Sequence, residues 1–229
     1  MEFDFEKKGR FPNVFSDIEL IAMQDIIKKY GLIRKKNFPV MLDYDENWNL
    51  IKTPYLDKIK KHLNFDRIEF QSIFAHTVTP KILPQDNVHS DISFVLRDRD
   101  SKFEEEILIN QDKYFTFYIV IGNTSTNNVD YRPCTYVFNQ SKTWDKGKTD
   151  LYTANDLPTN DNFDHDAHDR YRLKHIDPGL LSKLSIARVL PQFPGDVLCW
   201  GANNYHCGCD WTHNGIIEKH YMIAMGKII

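Results

Sequence analysis

His89-Ser90-Asp91 is the sharpest local feature of this 229-residue chain. In an extended strand, residues two apart project to the same side. An imidazole nitrogen and a carboxylate oxygen then stand about one cation apart. The tripeptide alone is a weak signal, because a polar turn entering a strand reads the same way. A second feature adds weight. Pro194-Gly195-Asp196-Val197-Leu198-Cys199-Trp200 is a tight turn feeding a buried strand, and His206 follows six residues after Trp200. Two imidazoles and one carboxylate on one face of an octahedral ion leave three adjacent positions open. That donor set suits non-haem Fe(II), which must hold a cosubstrate and O2 side by side.

Other residues compete for a metal. His206, Cys207, Cys209 and His213 lie close in sequence, and thiolates with imidazoles bind Zn2+ tetrahedrally. Their spacing matches neither a zinc finger nor a ribbon. His165 and His168, among Asp164, Asp166 and Asp169, read as a solvated loop, or as a lid or substrate-reading loop over a site.

The elements that must position these residues are legible from periodicity. Ser16-Asp17-Ile18-Glu19 is a capping box that opens a helix. Apolar residues then recur at 18, 22, 26 and 30, flanked by 21, 23 and 27, and Gly31 ends the run. Thr53-Pro54 starts a second helix, with Leu56, Ile59 and Leu63 as its buried stripe. From residue 67 the pattern becomes strand-like. Arg67 to Thr79 alternates, with Ile68, Phe70, Ser72 and Phe74 on one side. Ser90–Leu96, Tyr114–Ile121, Thr135–Phe138, Ile186–Leu190, Asp196–Trp200 and Ile216–Met225 are further runs of this kind. Many short strands with Pro, Gly and Asn turns predict a sandwich or jelly roll. The absence of regular strand–helix alternation excludes a doubly wound parallel sheet. Residues 139–178 form a long polar insertion, and Asp177-Pro178 opens a short helix through Leu184. The expected organisation is one domain: a helical support region over 1–66 and a core over 67–229.

Composition narrows the function classes. Hydrophobic residues make up 41% and charged residues 27%, the balance of a globular protein. The net charge is −3 with no long block of like charge, which argues against a nucleic-acid or membrane-surface partner. Apolar runs are far shorter than the roughly 20 residues a spanning helix needs. The first residues, Met1-Glu2-Phe3-Asp4-Phe5-Glu6, are acidic and lack an apolar signal-like core. With Cys134, Cys199, Cys207 and Cys209 too few for a disulfide scaffold, a cytoplasmic location is the expectation.

The sequence resembles the Fe(II)/2-oxoglutarate-dependent dioxygenase superfamily, and most of all its phytanoyl-CoA dioxygenase and prolyl hydroxylase branches. The resemblance rests on His89-Ser90-Asp91, on Pro194-Gly195-Asp196-Val197-Leu198 before Asn203-Asn204-Tyr205-His206, and on a basic residue in the last strand. It covers roughly residues 68–226. It implies a mainly β (α+β) double-stranded β-helix, or jelly roll, with N-terminal helices packed on one sheet. It implies that His89, Asp91 and His206 hold Fe(II), and that 2-oxoglutarate is a cosubstrate. In the family a late Arg or Lys meets the far carboxylate of 2-oxoglutarate. Lys219 fits that place, with His220 or Arg188 as alternatives. Alternation puts Lys219, Tyr221, Ile223 and Met225 on one face of the final strand. Tyr118 is either an inward hydroxyl that helps hold the cosubstrate or simply core. The implied activity is hydroxylation of a small-molecule or peptide substrate with O2. Two alternatives stand beside it: a non-catalytic jelly-roll binding or structural module, and a cupin-type metalloenzyme that does not use 2-oxoglutarate.

Overall fold

The alternating segments after residue 67 fold into two antiparallel sheets that face each other across an apolar interior. The computed structural model describes residues 9–29, 40–41, 46–79, 88–92, 101–125, 133–141, 173, 175–210 and 215–229. The larger sheet has the strand order β1 (Arg10–Phe11), β7 (Val197–Gly201), β4 (Tyr114–Ser125), β9 (Ile216–Ile228), β3 (Ile68–Val78), β2 (Val40–Met41). The smaller sheet runs β6 (Ile186–Pro191), β5 (Cys134–Ser141), β8 (Asn204–Gly208). Among the described residues the α-helices are α1 (Asp17–Lys29), α2 (Glu46–Leu63), α3 (Ser101–Ile109) and α4 (Pro178–Leu181). This is a mainly β, double-stranded β-helix with its N-terminal helices on one sheet, as the sequence implied.

Side-chain parity separates the two faces of each sheet. Tyr118, Val120, Leu198 and Trp200 of the larger sheet meet Val137 and Leu190 of the smaller one, with Tyr221 and Ile223 packed beside them. These line the interior. On the outer face of the larger sheet, Phe117, Ile119, Met222 and Ala224 pack under Leu20, Met23 and Ile27 of α1 and Ile59 of α2. The outer face of the smaller sheet buries Tyr136, Phe138, Tyr205 and Cys207 under Leu173, Ile176, Leu181 and Leu184. The central strands β4 and β7 therefore bury both faces, which explains their near-continuous apolar character, whereas β6 leaves Ala187 and Val189 exposed.

Several local expectations need correction. The buried stripe of α1 is Leu20, Met23 and Ile27, while Ile18 is 81% exposed and Ile21 is also exposed. The apolar residues of this helix cover two faces, and only one reaches the sheet. Helix α2 does not start at Pro54: it begins at Glu46 and carries Pro54 inside. Its stripe holds, with Ile59 buried and Leu56 and Leu63 packed on the same core. In β3 the alternation breaks at a bulge. Phe70 pairs with Gly226 and Ser72 with Met225, so Gln71 is an extra residue. A bulge exchanges the two faces, so Ile68 and Phe70 share the outer face with Ile73 and Ala75. The run Ser90–Leu96 is not a strand where it is described, because Asp91 lies in a turn and Ile92 begins a helical step. Helix α3 and strand β8 were not anticipated. Gly31, His165, His168, His213 and most of the 139–178 insertion lie outside the described residues.

The Pro194-Gly195-Asp196 turn is a structural anchor. Gly195 has φ +89, and a Cβ there would sit 2.5 Å from the Phe15 carbonyl oxygen, so only glycine fits. The Phe15 N–H donates to the Gly195 carbonyl (3.0 Å), and the Gly195 N–H donates to the Val120 carbonyl (2.9 Å). The buried Asp196 carboxylate accepts from Arg10 Nε (2.6 Å) and from the Asn13 N–H (3.1 Å). Asp196 thus ties the N-terminal segment to the barrel and is spoken for.

At the start of α1, the Glu19 carboxylate accepts from the Ser16 N–H (2.8 Å) and hydroxyl (2.7 Å), which completes the carboxylate half of the capping box. Lys58 of α2 donates to the same carboxylate at 2.6 Å. Partial burial alone would raise the Glu19 pKa; the Lys58 ammonium and the Ser16 bonds outweigh it and bring the group from 4.5 to about 2. A folded-state pKa below the unfolded one contributes stability above the unfolded value that is lost as pH falls. Glu19→Gln is therefore expected to flatten the loss of stability between about pH 4.5 and 2, measured by urea melts across that range, and to have a smaller pH-dependent effect above pH 6.

Candidate metal centre

His89 and His206 face each other as an antiparallel backbone pair. The His89 N–H donates to the His206 carbonyl (3.0 Å), and the His206 N–H donates back to the His89 carbonyl (2.9 Å). Directly opposed residues project to the same face, and the two imidazole rings lie with centroids 4.3 Å apart. His206 is buried opposite Val137 of β5, so this face is the barrel interior. The next residues of the first motif are fastened to the β7–β8 turn, where the Ile92 N–H donates to the Ala202 carbonyl (3.0 Å). That fastening turns Asp91 inward.

The three side chains converge. His206 Nε2 is 3.3 Å from Asp91 Oδ2, and His89 Nε2 is 3.6 Å from Asp91 Oδ1. One ligand atom from each residue lies within 4.8 Å of the others, and no second cluster of this kind occurs among the described residues. The His206 Nδ1 is 3.2 Å from the Asn204 carbonyl oxygen. A carbonyl only accepts, so Nδ1 is the donor in this contact, and Nε2 is the ring nitrogen that faces Asp91. Asp91 is 2% exposed. Burial alone would raise its pKa, but the His206 imidazole, then His89 and the Thr116 hydroxyl, more than reverse this and hold the carboxyl well below the usual carboxylate range. The site therefore presents an ionised carboxylate between two imidazoles. His89, with a side chain 24% exposed, is its open side.

Thr116 and Trp200 were missed by the sequence reading. The Thr116 hydroxyl donates to Asp91 Oδ2 at 2.7 Å, and the Trp200 indole N–H donates to the same oxygen at 3.3 Å. Nothing in the sequence marks Thr116, which sits in an apolar strand 25 residues from its partner. Trp200 reads in the sequence only as the end of a buried strand, and its ring lies 4.8 Å from the His206 ring.

Aromatic side chains continue from the triad along the interior. Tyr118 lies 6.2 Å from Trp200 and stacks on Tyr221 at 4.7 Å, and Lys219 Nζ is 5.8 Å from the Tyr221 ring. Lys219 shares the inward parity of Tyr221 and Ile223. It is the only buried Lys or Arg among the described residues. His220 takes the opposite face, with Nδ1 2.9 Å from the Thr77 hydroxyl and Nε2 3.2 Å from Glu218. Arg188 lies against the N-terminal segment, where its Nη1 would be 2.9 Å from a Cβ on Gly9. In the smaller sheet, the Thr135 hydroxyl of β5 accepts from Gln192 Nε2 at 2.9 Å, and both residues are buried. Cys207 and Cys209 are buried on the outer face of the smaller sheet, and Cys209 Sγ accepts from the Cys134 N–H (3.2 Å). They face away from His206, which removes them from a shared site with it.

The fold and this site define a class of protein: a double-stranded β-helix carrying a His-Asp-His donor set inside its barrel. Solved structures with this fold agree along nearly the whole chain. The non-heme alpha-ketoglutarate-dependent carbocyclase SnoK from nogalamycin biosynthesis superposes with a TM-score of 0.52 at 16% identity, covering 97% of this chain and 81% of that one. HygX from Streptomyces hygroscopicus, solved with nickel and 2-oxoglutarate bound, gives 0.51 at 13% identity over 99% of this chain and 84% of that one. The epimerase SnoN, in complex with Fe3+, alpha-ketoglutarate and nogalamycin RO, gives 0.51 at 13% identity, with 96% and 78% covered. At such identities the likeness is one of fold. No protein-family model matches the sequence, and no curated protein matches it. No helix among the described residues is long and apolar enough to cross a membrane.

Proposed function

We propose that this protein is a non-haem Fe(II)- and 2-oxoglutarate-dependent oxygenase of the kind found in the phytanoyl-CoA dioxygenase and prolyl hydroxylase branches, and that it hydroxylates a small-molecule or peptide substrate. The observation that carries the reading is the convergence of His89, Asp91 and His206 inside the barrel, with their ligand atoms within 4.8 Å of one another. Two imidazoles and one carboxylate fit Fe(II) and leave three positions open on an octahedral ion. Bound iron supplies the activation of O2, with 2-oxoglutarate oxidised to succinate and CO2 while a substrate C–H becomes C–OH.

The residues of this chain hold and orient. His89, Asp91 and His206 bind the metal. Lys219 pairs with the far carboxylate of 2-oxoglutarate, and that placement is supported by its burial and its inward parity in β9. The Thr135 hydroxyl of β5, bonded by the Gln192 amide, is a further polar partner in the smaller sheet. Tyr118 and Tyr221 form an aromatic wall that keeps water from the cosubstrate. Substrate enters on the exposed side of His89.

Anaerobic titration of 2-oxoglutarate separates the readings. Protein loaded with Fe(II) is expected to bind 2-oxoglutarate at least tenfold more tightly than metal-free protein, because the ion holds one end of the dianion. Iron binding with no affinity for 2-oxoglutarate would replace this reading with the cupin-type one. Failure to bind iron would leave a non-catalytic module.

A further inference from the structure

We propose that Thr116 and Trp200 are positioning residues that make Asp91 a one-oxygen metal ligand. The inference rests on the metal reading above. Both donors end on the same atom: the Thr116 hydroxyl lies 2.7 Å from Asp91 Oδ2 and the Trp200 indole N–H 3.3 Å from it. A carboxylate oxygen offers two lone-pair directions in its plane. The two donors take these directions, and His206 Nε2 also lies 3.3 Å from Oδ2; Oδ1, 3.6 Å from His89 Nε2, accepts from neither Thr116 nor Trp200 and keeps its lone pairs for an ion.

Neither donor has a better use for its proton. Thr116 Oγ1 also lies 3.4 Å from Met225 Sδ, but a thioether is a weak acceptor, and the short bond to an ionised oxygen takes the single hydroxyl proton. Indole is a donor only. Thr116, Trp200 and Asp91 are all buried, so no solvent competes for these bonds. Thr116 and Trp200 are direct neighbours on β4 and β7, so the clamp comes from the larger sheet. His206, by contrast, is on the smaller sheet, and His89 is bridged to it. The two bonds thus fix the carboxylate across the barrel, against rotation about its own axis.

The number of coordinating oxygens decides whether the proposed chemistry fits. Two imidazoles and one carboxylate oxygen occupy three of six octahedral positions. The keto acid end of 2-oxoglutarate fills two, and one remains for O2. A carboxylate bound through both oxygens would take that last position or displace one arm of the cosubstrate. The clamp therefore keeps a coordination position free without touching metal or substrate.

The test compares the parent with Thr116→Val, Trp200→Phe and Thr116→Ser, each measured for Fe(II) affinity, for 2-oxoglutarate affinity at saturating Fe(II) under argon, and for melting temperature without metal. Thr116→Val is expected to weaken metal binding about 10- to 100-fold, the range for losing an outer partner of a metal ligand. At saturating iron it is expected to weaken 2-oxoglutarate binding at least tenfold. Trp200→Phe shifts both in the same direction, and Thr116→Ser restores both. Parental metal and 2-oxoglutarate affinities in Thr116→Val overturn the clamp, as does a loss that Thr116→Ser fails to restore. Should Trp200→Phe fold poorly, the near-isosteric Thr116 pair carries the test alone. A parent that binds iron but not 2-oxoglutarate sinks the oxygenase reading, while the metal affinities still judge the clamp. A parent that binds no iron overturns both.

Discussion

Asp91→Ala is expected to lose Fe(II) while the barrel stays folded. The carboxylate is the only anionic donor of the triad, so its removal should exceed the 10- to 100-fold loss typical of an outer-shell partner. Stability also falls, for a reason visible in the structure. Asp91 accepts from Thr116 and Trp200, and its removal leaves two buried donors without their acceptor. Each such donor costs about 1–3 kcal/mol. Asp91→Asn separates the two effects. Its amide oxygen still accepts from the clamp while the charge is gone, so metal is lost with a smaller drop in melting temperature. Metal analysis after gel filtration, paired with thermal melts, reads both. Parental iron content in either variant would remove Asp91 from the site.

Lys219→Met is expected to weaken 2-oxoglutarate binding and leave iron binding unchanged. A dianion held by iron at one end must bring its second carboxylate into a buried pocket, where an unpaired charge costs several kcal/mol. Removing one partner of a buried, hydrogen-bonded charge pair costs about 2–5 kcal/mol, or roughly 30- to several-thousand-fold in affinity. Methionine keeps most of the volume and the apolar stem against Tyr221, so packing is largely spared. Lys219→Arg keeps the charge and is expected to retain more affinity than Lys219→Met. Calorimetric titration of 2-oxoglutarate into iron-loaded protein reads the difference. Equal affinity in the parent and in Lys219→Met would exclude Lys219 as the partner of the far carboxylate.

The site was legible where chemistry is local in sequence. His89-Ser90-Asp91 is weak alone and gains weight from the Pro194–Trp200 run and His206, and strict alternation over the last strand puts Tyr221 and Ile223 on one face and Met222 and Ala224 on the other, as the structure has them. Alternation failed in β3, because the bulge at Gln71 swaps the faces while leaving no mark in composition. It failed differently at Asp91, which is turned inward by the bond from Ile92 to Ala202 rather than by strand parity. Apolar residues on two faces hid which side of α1 is buried, since that depends on where the sheet lies. Thr116 and Trp200 were illegible for a deeper reason. Their role is defined by a partner 25 and 109 residues away, brought close only by the closing of the barrel. Asp196 shows the reverse case: it belongs to the turn that marked the motif, yet the bonds from Arg10 and Asn13 make it an anchor.

The most direct test is O2-dependent conversion of 2-oxoglutarate to succinate by the iron-loaded protein, followed by chromatography with no other substrate added. The account predicts that succinate forms in air, does not form under argon, and falls to the level of protein-free iron in Asp91→Ala. Succinate no higher than that iron control, from protein shown to hold one Fe(II) per chain, would contradict it.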